Sequence, residues 1–399
     1  MFKMKDLSQL KRRLHSLVVF RTLLSDAVVS RFLDLCEAQN ASEDQRVNRA
    51  ADFIGALFQT TDNLTEYVLN LVLDDENAYI LRAGEHKLTD SYRAAVEQEL
   101  DVLQAFATVT PEDIRAFVRS DTPLPAFVTD DSDFKKIYAD RVEHIGEHGY
   151  GIFAKYHMFC LKDGKITPVK HPDEQRLSDF SGYELERSRV IDNTKALLKG
   201  SPCNNVLLYG DAGSGKSSTV KAIANEFKDD GLRLIEVKKH ELFFLPDIMD
   251  ALAKNPLKFI IFIDDLSFAS NDNDFGALKA ILEGSVSGRS QNIAIYATSN
   301  RRHLIKENFS DREGDDLHLQ DTIQEMTSLS ARFGLKVTFS RPDKSLYCSI
   351  VCDLAKQRGI EMPEEELIRR AEAHALRNGG RSPRTARQFI DYLAYSEGK

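Results

Sequence analysis

Through roughly the first 148 residues, apolar side chains recur at intervals of three and four, the spacing that lines one face of an α-helix. Val96, Leu100, Leu103 and Phe106 make one such stripe after a start at Asp90. Thr110-Pro111-Glu112-Asp113 opens another: Thr110 suits a helix cap, Pro111 the first helical position, and Asp113 can reach back to the cap. Residues 121–133, with Pro123 and Pro125, lose the period and read as a loop. The pattern then changes. Residues 150–161 are aromatic and strand-like, Asp163-Gly164 signals a hairpin turn, and 166–169 return, with Pro168 confining that strand to an edge. From Pro202 short apolar runs alternate with helical stretches, giving five strands at 205–209, 232–237, 259–264, 293–298 and 335–339. Continuous apolar runs of this kind belong to parallel strands covered on both faces. After Ser340 the period is helical only. The chain is expected to be α/β: a mainly helical domain over 1–148, a hairpin linker over 149–174 that bridges the domains, a five-stranded parallel αβα core over 175–340, and a helical lid over 341–399.

Composition narrows the field without choosing a function. Among 399 residues, 42% hydrophobic and 29% charged is an ordinary globular balance, with material for a large core. Lys plus Arg number 53 against 62 acids, and the resulting net charge of −9 lowers the prospect of a nucleic-acid or anionic membrane partner. Lys11-Arg12-Arg13 reads as a solvated helix face. No apolar run reaches the length of a membrane span or a signal-peptide core, so a cytoplasmic location is expected. Five scattered cysteines, an odd number, argue against a disulfide framework. His144 and His148 stand four apart, but Gly146 weakens that helix and no third ligand accompanies them; Cys348 and Cys352 lie in an apolar helical pattern and read as core.

The chemistry is concentrated at 210–218, GDAGSGKSS, which satisfies the phosphate-loop pattern G-x-x-x-x-G-K-[ST] through Gly210, Gly215, Lys216 and Ser217. Glycines let the backbone N–H groups of Asp211, Ala212, Gly213, Ser214 and Ser218 close around phosphate. Lys216 can reach the β- and γ-phosphates, and the Ser217 hydroxyl can ligate Mg2+. A strand precedes the loop and a helix follows it, so the anion would sit at a helix N-terminus. A dinucleotide reading fails, since Gly213-Ser214-Gly215 is followed three places on by Ser218 where glycine or alanine is needed. About 50 residues on, FIIFIDD ends a buried strand in two acids, of which Asp264 is expected to hold Mg2+ and Asp265 to orient and deprotonate a water. Asn300, at the end of the next strand, can point toward the γ-phosphate. Arg332, just before the last strand, and Arg384, behind the cap Ser382 and helix opener Pro383, are candidate phosphate ligands.

These motifs together, over about residues 175–399, resemble the AAA+ ATPases: a Walker A loop, a Walker B strand, a sensor 1 in Asn300, an arginine finger in Arg332 and a sensor 2 in Arg384. SDFSGYE, 178–184, looks like the segment that precedes the core in such ATPases and lines the adenine pocket, which adds Phe180 and Gly182 to the expected ATP-binding residues. The run from Tyr150 into LLYGDAGSGKSS, with TSNRRHL and LSARFGL, is similar to bacterial AAA+ ATPases grouped as a domain of unknown function. The resemblance implies ATP and Mg2+ as ligands, a ring or other head-to-tail homo-oligomer, and a protein partner recruited by the N-terminal domain. A nucleic-acid loader with slow turnover is the alternative, and a P-loop kinase is disfavoured because the sensor and finger arginines would be superfluous. Many AAA+ proteins carry Glu where this chain has Asp265, shorter by about 1.5 Å; Glu283 is a substitute base, and Glu325 or Asp321 a mundane partner for Arg332. KKHELFFL, 238–245, stands where threading AAA+ machines carry an aromatic pore loop, but Leu242, Phe243, Leu245, Ile248, Met249 and Leu252 read more readily as the packed face of a helix and its entry.

Overall fold

The computed structural model describes residues 5–84, 88–266, 278, 279, 281, 282, 290–300 and 330–397. They form two compact units, 1–155 and 156–399. The first is helical: α1 Leu7–His15, α2 Ala27–Glu37, α3 Glu43–Phe58, α4 Leu64–Asp74, α5 Ala78–Gly84, α6 Asp90–Ala107, α7 Pro111–Val118, α8 Phe134–Glu143, α9 Ile145–His148 and α10 Ile152–Lys155. Short polar side chains start these helices because they satisfy backbone N–H groups the helix cannot. Asp6, Asp26, Asn63 and Asp133 each accept from the first turn, and Thr110 with Asp113 forms the expected reciprocal box. The apolar stripes meet in one core in which Phe32 lies 4.6 Å from Phe106 and 5.6 Å from Phe53, ring centre to ring centre. Each such fully buried side chain contributes on the order of 1.5–3 kcal/mol. Glu99, buried in α6, accepts the N–H groups of Val18, Val19 and Phe20 and so fixes the turn after α1. α8 and α9 meet at His144, the cap of α9, whose ring meets the Asp140 carbonyl at 3.0 Å.

The second unit carries a seven-stranded sheet in the order β2-β1-β4-β5-β6-β3-β7, made of β1 Met158–Lys162, β2 Lys165–Pro168, β3 Val206–Gly210, β4 Leu232–Glu236, β5 Lys258–Ile263, β6 Ile293–Ser299 and β7 Leu335–Phe339. All neighbours are parallel except β1 and β2. The five expected strands are present and parallel. The hairpin differs from expectation in two ways. It starts only at Met158, because Gly149 and Gly151 adopt positive φ and the chain between them and the strand coils into α10. It also does not bridge domains: Met158, Phe159 and Cys160 pair with Leu234, Ile235 and Glu236, so the hairpin is an integral part of the sheet. Phe159 and Leu161 bury into that extension, which is why the segment joins the core and does not link to it.

Helices α11 Glu184–Leu198 and α12 Lys216–Glu226 pack on the sheet, and α13 Leu245–Leu252 precedes β5. Three more, α14 Lys344–Gln357, α15 Glu364–Arg377 and α16 Pro383–Glu397, pack on one another and share a single apolar cluster with the strands through Tyr183, Val337, Phe339, Tyr347, Ile350 and Leu393. Buried polar groups hold the central strand β6. Tyr296 Oη accepts from Asn193 at 3.0 Å and meets Thr194 at 2.8 Å, burial pushing its phenol up to about 12. Leu242, Leu245, Ile248 and Leu252 are buried as expected, but Phe243 is 62% exposed. Residues 239–244 wind as a 3-10 helix, which rotates Phe243 out of the stripe; it stacks on Phe244 at 3.9 Å, and Phe244 covers Gly164 of the hairpin turn. The architecture is α/β: a mostly parallel sheet carrying a strand–phosphate loop–helix unit, followed by a lid of three C-terminal helices.

Candidate functional site

β3 delivers the chain into the loop 211–215 and α12 leaves it, as the spacing requires. Gly210 is obligatory there: its φ is +139°, and a Cβ would lie 2.0 Å from the Phe339 carbonyl oxygen of β7. The Lys216 ammonium, 5% exposed, donates to the carbonyls of Gly210 at 2.9 Å and Asp211 at 2.8 Å and to Asn300 Oδ1 at 3.1 Å. Burial lowers its pKa, and Asp211, Asp265 and Asp264 oppose that shift. The loop therefore holds one cation at the N-terminus of α12, an arrangement suited to a polyanion.

Two acids face this cation from the end of β5. Asp264 Oδ1 accepts from Ser217 Oγ at 2.5 Å, from Thr298 Oγ1 at 2.6 Å and from the Asp265 N–H at 3.1 Å. Asp265 Oδ1 accepts from Asn300 Nδ2 at 2.8 Å. With its oxygen on Lys216 and its nitrogen on Asp265, the Asn300 amide is fixed in one orientation by charge at both ends. Asp265 has φ +51°, in the left-handed region. Asp and Asn enter that region readily because their short side chains bond locally, whereas longer side chains pay about 1–2 kcal/mol. The backbone thus supplies a physical reason for an Asp at this position.

The lid closes the opposite wall of a cleft of about 490 Å3. Arg384, at the start of α16, donates its N–H to the Gly213 carbonyl at 3.2 Å and lines the cleft beside the loop. Phe180 lines it from the segment before α11; Gly182, at φ +74°, lets that segment lie against Leu346 and Ile350 of α14. The cleft thus gathers Phe180, residues 212–218, Asp264, Asp265, Asn300 and Arg384. Asp211 stands beside it, accepting the Arg341 N–H at 2.9 Å. Arg332 does not line it. Leu335, three residues later, pairs with Val206 at the start of β3, so Arg332 lies at the sheet edge opposite the loop, roughly 13 Å or more away at 3.3 Å per residue. Glu283, Glu325, Asp321 and residues 301–304 lie outside the described residues.

Three polar cleft residues are not singled out by motif spacing: Thr298, Arg187 and Arg387. Thr298 stands two before Asn300 on a strand, hence on the same face, and Arg387 stands three after Arg384 on a helix; either signal could have found them. Arg187 is 7% exposed, its guanidinium 5.7 Å over the Phe180 ring. Burial lowers its pKa, with Glu184 opposing.

The donors at the acid end are carboxylate and hydroxyl oxygens, a hard set matched to Mg2+. Among the described residues no cluster of three His, Cys, Asp or Glu side chains could cage a metal alone. Asp264 and Ser217 fit the other mode of Mg2+ binding, in which one or two protein oxygens are completed by phosphate and water.

A stretch of 117 residues is 32% identical to the Replication factor C large subunit of Staphylothermus marinus, spanning 27% of either protein. Among solved structures, the RuvB Holliday junction branch migration motor of Thermotoga maritima is 17% identical with a TM-score of 0.36, over 56% of this chain and 66% of that one. A variant of the same protein gives 17%, 0.38, 57% and 67%. That likeness is weak, and the fold rests on the strand order and the loop. Residues 154–397, more than half of the chain, match the family described as Protein of unknown function (DUF815), and the chain belongs to that family.

Proposed function

We propose that this chain is an ATPase that binds ATP with Mg2+ in the cleft and uses its hydrolysis to remodel or regulate a protein partner. The carrying observation is that Lys216, Ser217, Asp264, Asp265, Asn300 and Arg384, read separately from the sequence, converge on one cleft between loop and lid. In this reading the loop amides, Lys216 and Arg384 hold the phosphates, and Ser217 and Asp264 hold Mg2+, which would neutralise charge on the transferred group. Asp265 takes the proton of the attacking water while Asn300 restrains its carboxylate. The remoteness of Arg332 from its own loop supports a role in a neighbouring subunit's site, in a head-to-tail oligomer. The N-terminal unit recruits the partner, in the cytoplasm; among the described residues no helix is long and apolar enough to cross a membrane.

The test is phosphate release by the purified chain with and without Mg2+. Activity that needs the metal and vanishes in Lys216→Ala and Asp264→Ala is the expected result; full activity in either variant would sink the reading. The local identity to a replication factor C large subunit favours a second reading, a nucleic-acid partner. Stimulation of the ATPase by DNA, falling steeply with salt, would select it.

A further inference from the structure

Thr298 is buried to 2% exposure at the end of β6, between β3 and β5. Its neighbour in β3 is Leu208, two residues before Gly210 at the mouth of the loop, and on the other side Ile263 pairs with Ala297, so Thr298 falls level with the first acid beyond β5. Its hydroxyl does two things at once. It donates to Asp264 Oδ1 at 2.6 Å and accepts the Asp265 N–H at 2.9 Å, while its carbonyl accepts the Leu266 N–H at 2.7 Å. The side chain therefore grips both acids, and the backbone of the same residue holds the turn that follows them.

The consequence lies in how Asp264 is used. Among the described residues its donors are Ser217 Oγ, Thr298 Oγ1 and the Asp265 N–H, and all three go to Oδ1. An oxygen with three donors has no lone pair left for a cation, so Oδ2 is the atom left for one. Of the three donors, Ser217 is itself expected to ligate Mg2+, and the Asp265 bond is the longest. Thr298 is the donor that fixes the carboxylate without competing for the metal.

We infer that Thr298 is a positioning residue that turns Asp264 Oδ2 toward Mg2+ in the nucleotide cleft. The inference rests on the proposed nucleotide function. Partners of this kind, one bond removed from a ligand, set its orientation, and losing one commonly costs tenfold to a hundredfold in metal affinity. Thr298→Val keeps the branched shape that a central strand and a packed site require, and removes only the hydroxyl. Thr298→Ser keeps the hydroxyl and loses a methyl group.

The experiment follows a fluorescent ATP analogue binding to the full chain, first in EDTA and then over a Mg2+ titration, with thermal unfolding of each variant recorded alongside. Thr298→Val should bind the analogue in EDTA within about twofold of wild type but need at least about tenfold more Mg2+ for half of the metal-dependent gain. Thr298→Ser should stay within about threefold of wild type in both. An unchanged Mg2+ requirement in Thr298→Val would overturn the inference. So would an equal loss in EDTA and in Mg2+, the mark of a merely structural role, or a Ser variant that behaves like Val. Should wild type itself show no metal-strengthened binding, the nucleotide reading fails first and this inference with it.

Discussion

Asp265 offers the sharpest test of the chemistry, because its backbone and its carboxylate can be perturbed separately. Asp265→Asn preserves side-chain shape. Asn is tolerated at φ +51°, and its Oδ1 can still accept from Asn300, so stability should change by no more than about 0.5 kcal/mol. ATP affinity should stay within about twofold. Turnover should fall by about 10² to 10⁴, the contribution of a positioned base, or roughly 3–5.5 kcal/mol in the barrier. Asp265→Glu reverses the test: a stronger resemblance to the usual motif, but a side chain that pays about 1–2 kcal/mol in the left-handed region. Its melting point should drop by roughly 2–8 °C for a unit of this size, and the bond to Asn300 should be lost. Single-turnover hydrolysis, equilibrium binding and thermal unfolding separate these effects. If Asp265→Asn turns over within threefold of wild type, the base lies elsewhere. If Asp265→Glu is as stable as wild type, the backbone reason for Asp is wrong.

Three further outcomes are expected. Arg332→Ala chains mixed with Lys216→Ala chains should recover activity that neither has alone, since each supplies the part the other lacks; co-assembly without recovery would refute a shared site. Gly210→Ala should cost about 3 kcal/mol or more, because neither its φ nor the Phe339 carbonyl can accommodate a Cβ; calorimetry showing an unchanged melting point would contradict this. In the lid, Arg381 grips Glu372 with two bonds of 2.8 and 2.7 Å and holds its carboxyl below the ordinary glutamate range. A lowered acid pKa stabilises above the unfolded value and loses that contribution as pH falls through the folded one, so the melting difference between wild type and Glu372→Gln should shrink on acidification through that window; a difference that grows in acid would reverse the sign.

Much of the nucleotide unit was legible because its signals are local. β5 and β6 are apolar on both faces and announce themselves as buried parallel strands, and the loop glycines have no other reading at that spacing. What sequence could not provide is contact between distant segments. That Asn300 restrains Asp265 as well as facing the phosphate end, and that Thr298 grips both acids, depend on which strands become neighbours. Phe243 falls on the packed face only if α-helical spacing begins one turn earlier; a 3-10 turn advances about 120° per residue, and the stripe passes through Leu242 and Leu245 instead. The hairpin misled for another reason. Strand chemistry says that a segment will pair, and is silent on what it pairs with.

That pairing has a cost-sparing effect on solubility. Without the hairpin, β4 would leave a row of apolar, unpaired backbone along one side of the sheet, a template for another chain's strand. With it, the outermost strand is β2, four residues long, carrying an exposed lysine at one end and at the other a proline that cannot donate. On that side the sheet thus ends in a short strand poorly suited to pair with another chain. A fragment begun at residue 175, where the linker was expected to end, would strip this guard and should aggregate; one begun at residue 156 keeps it.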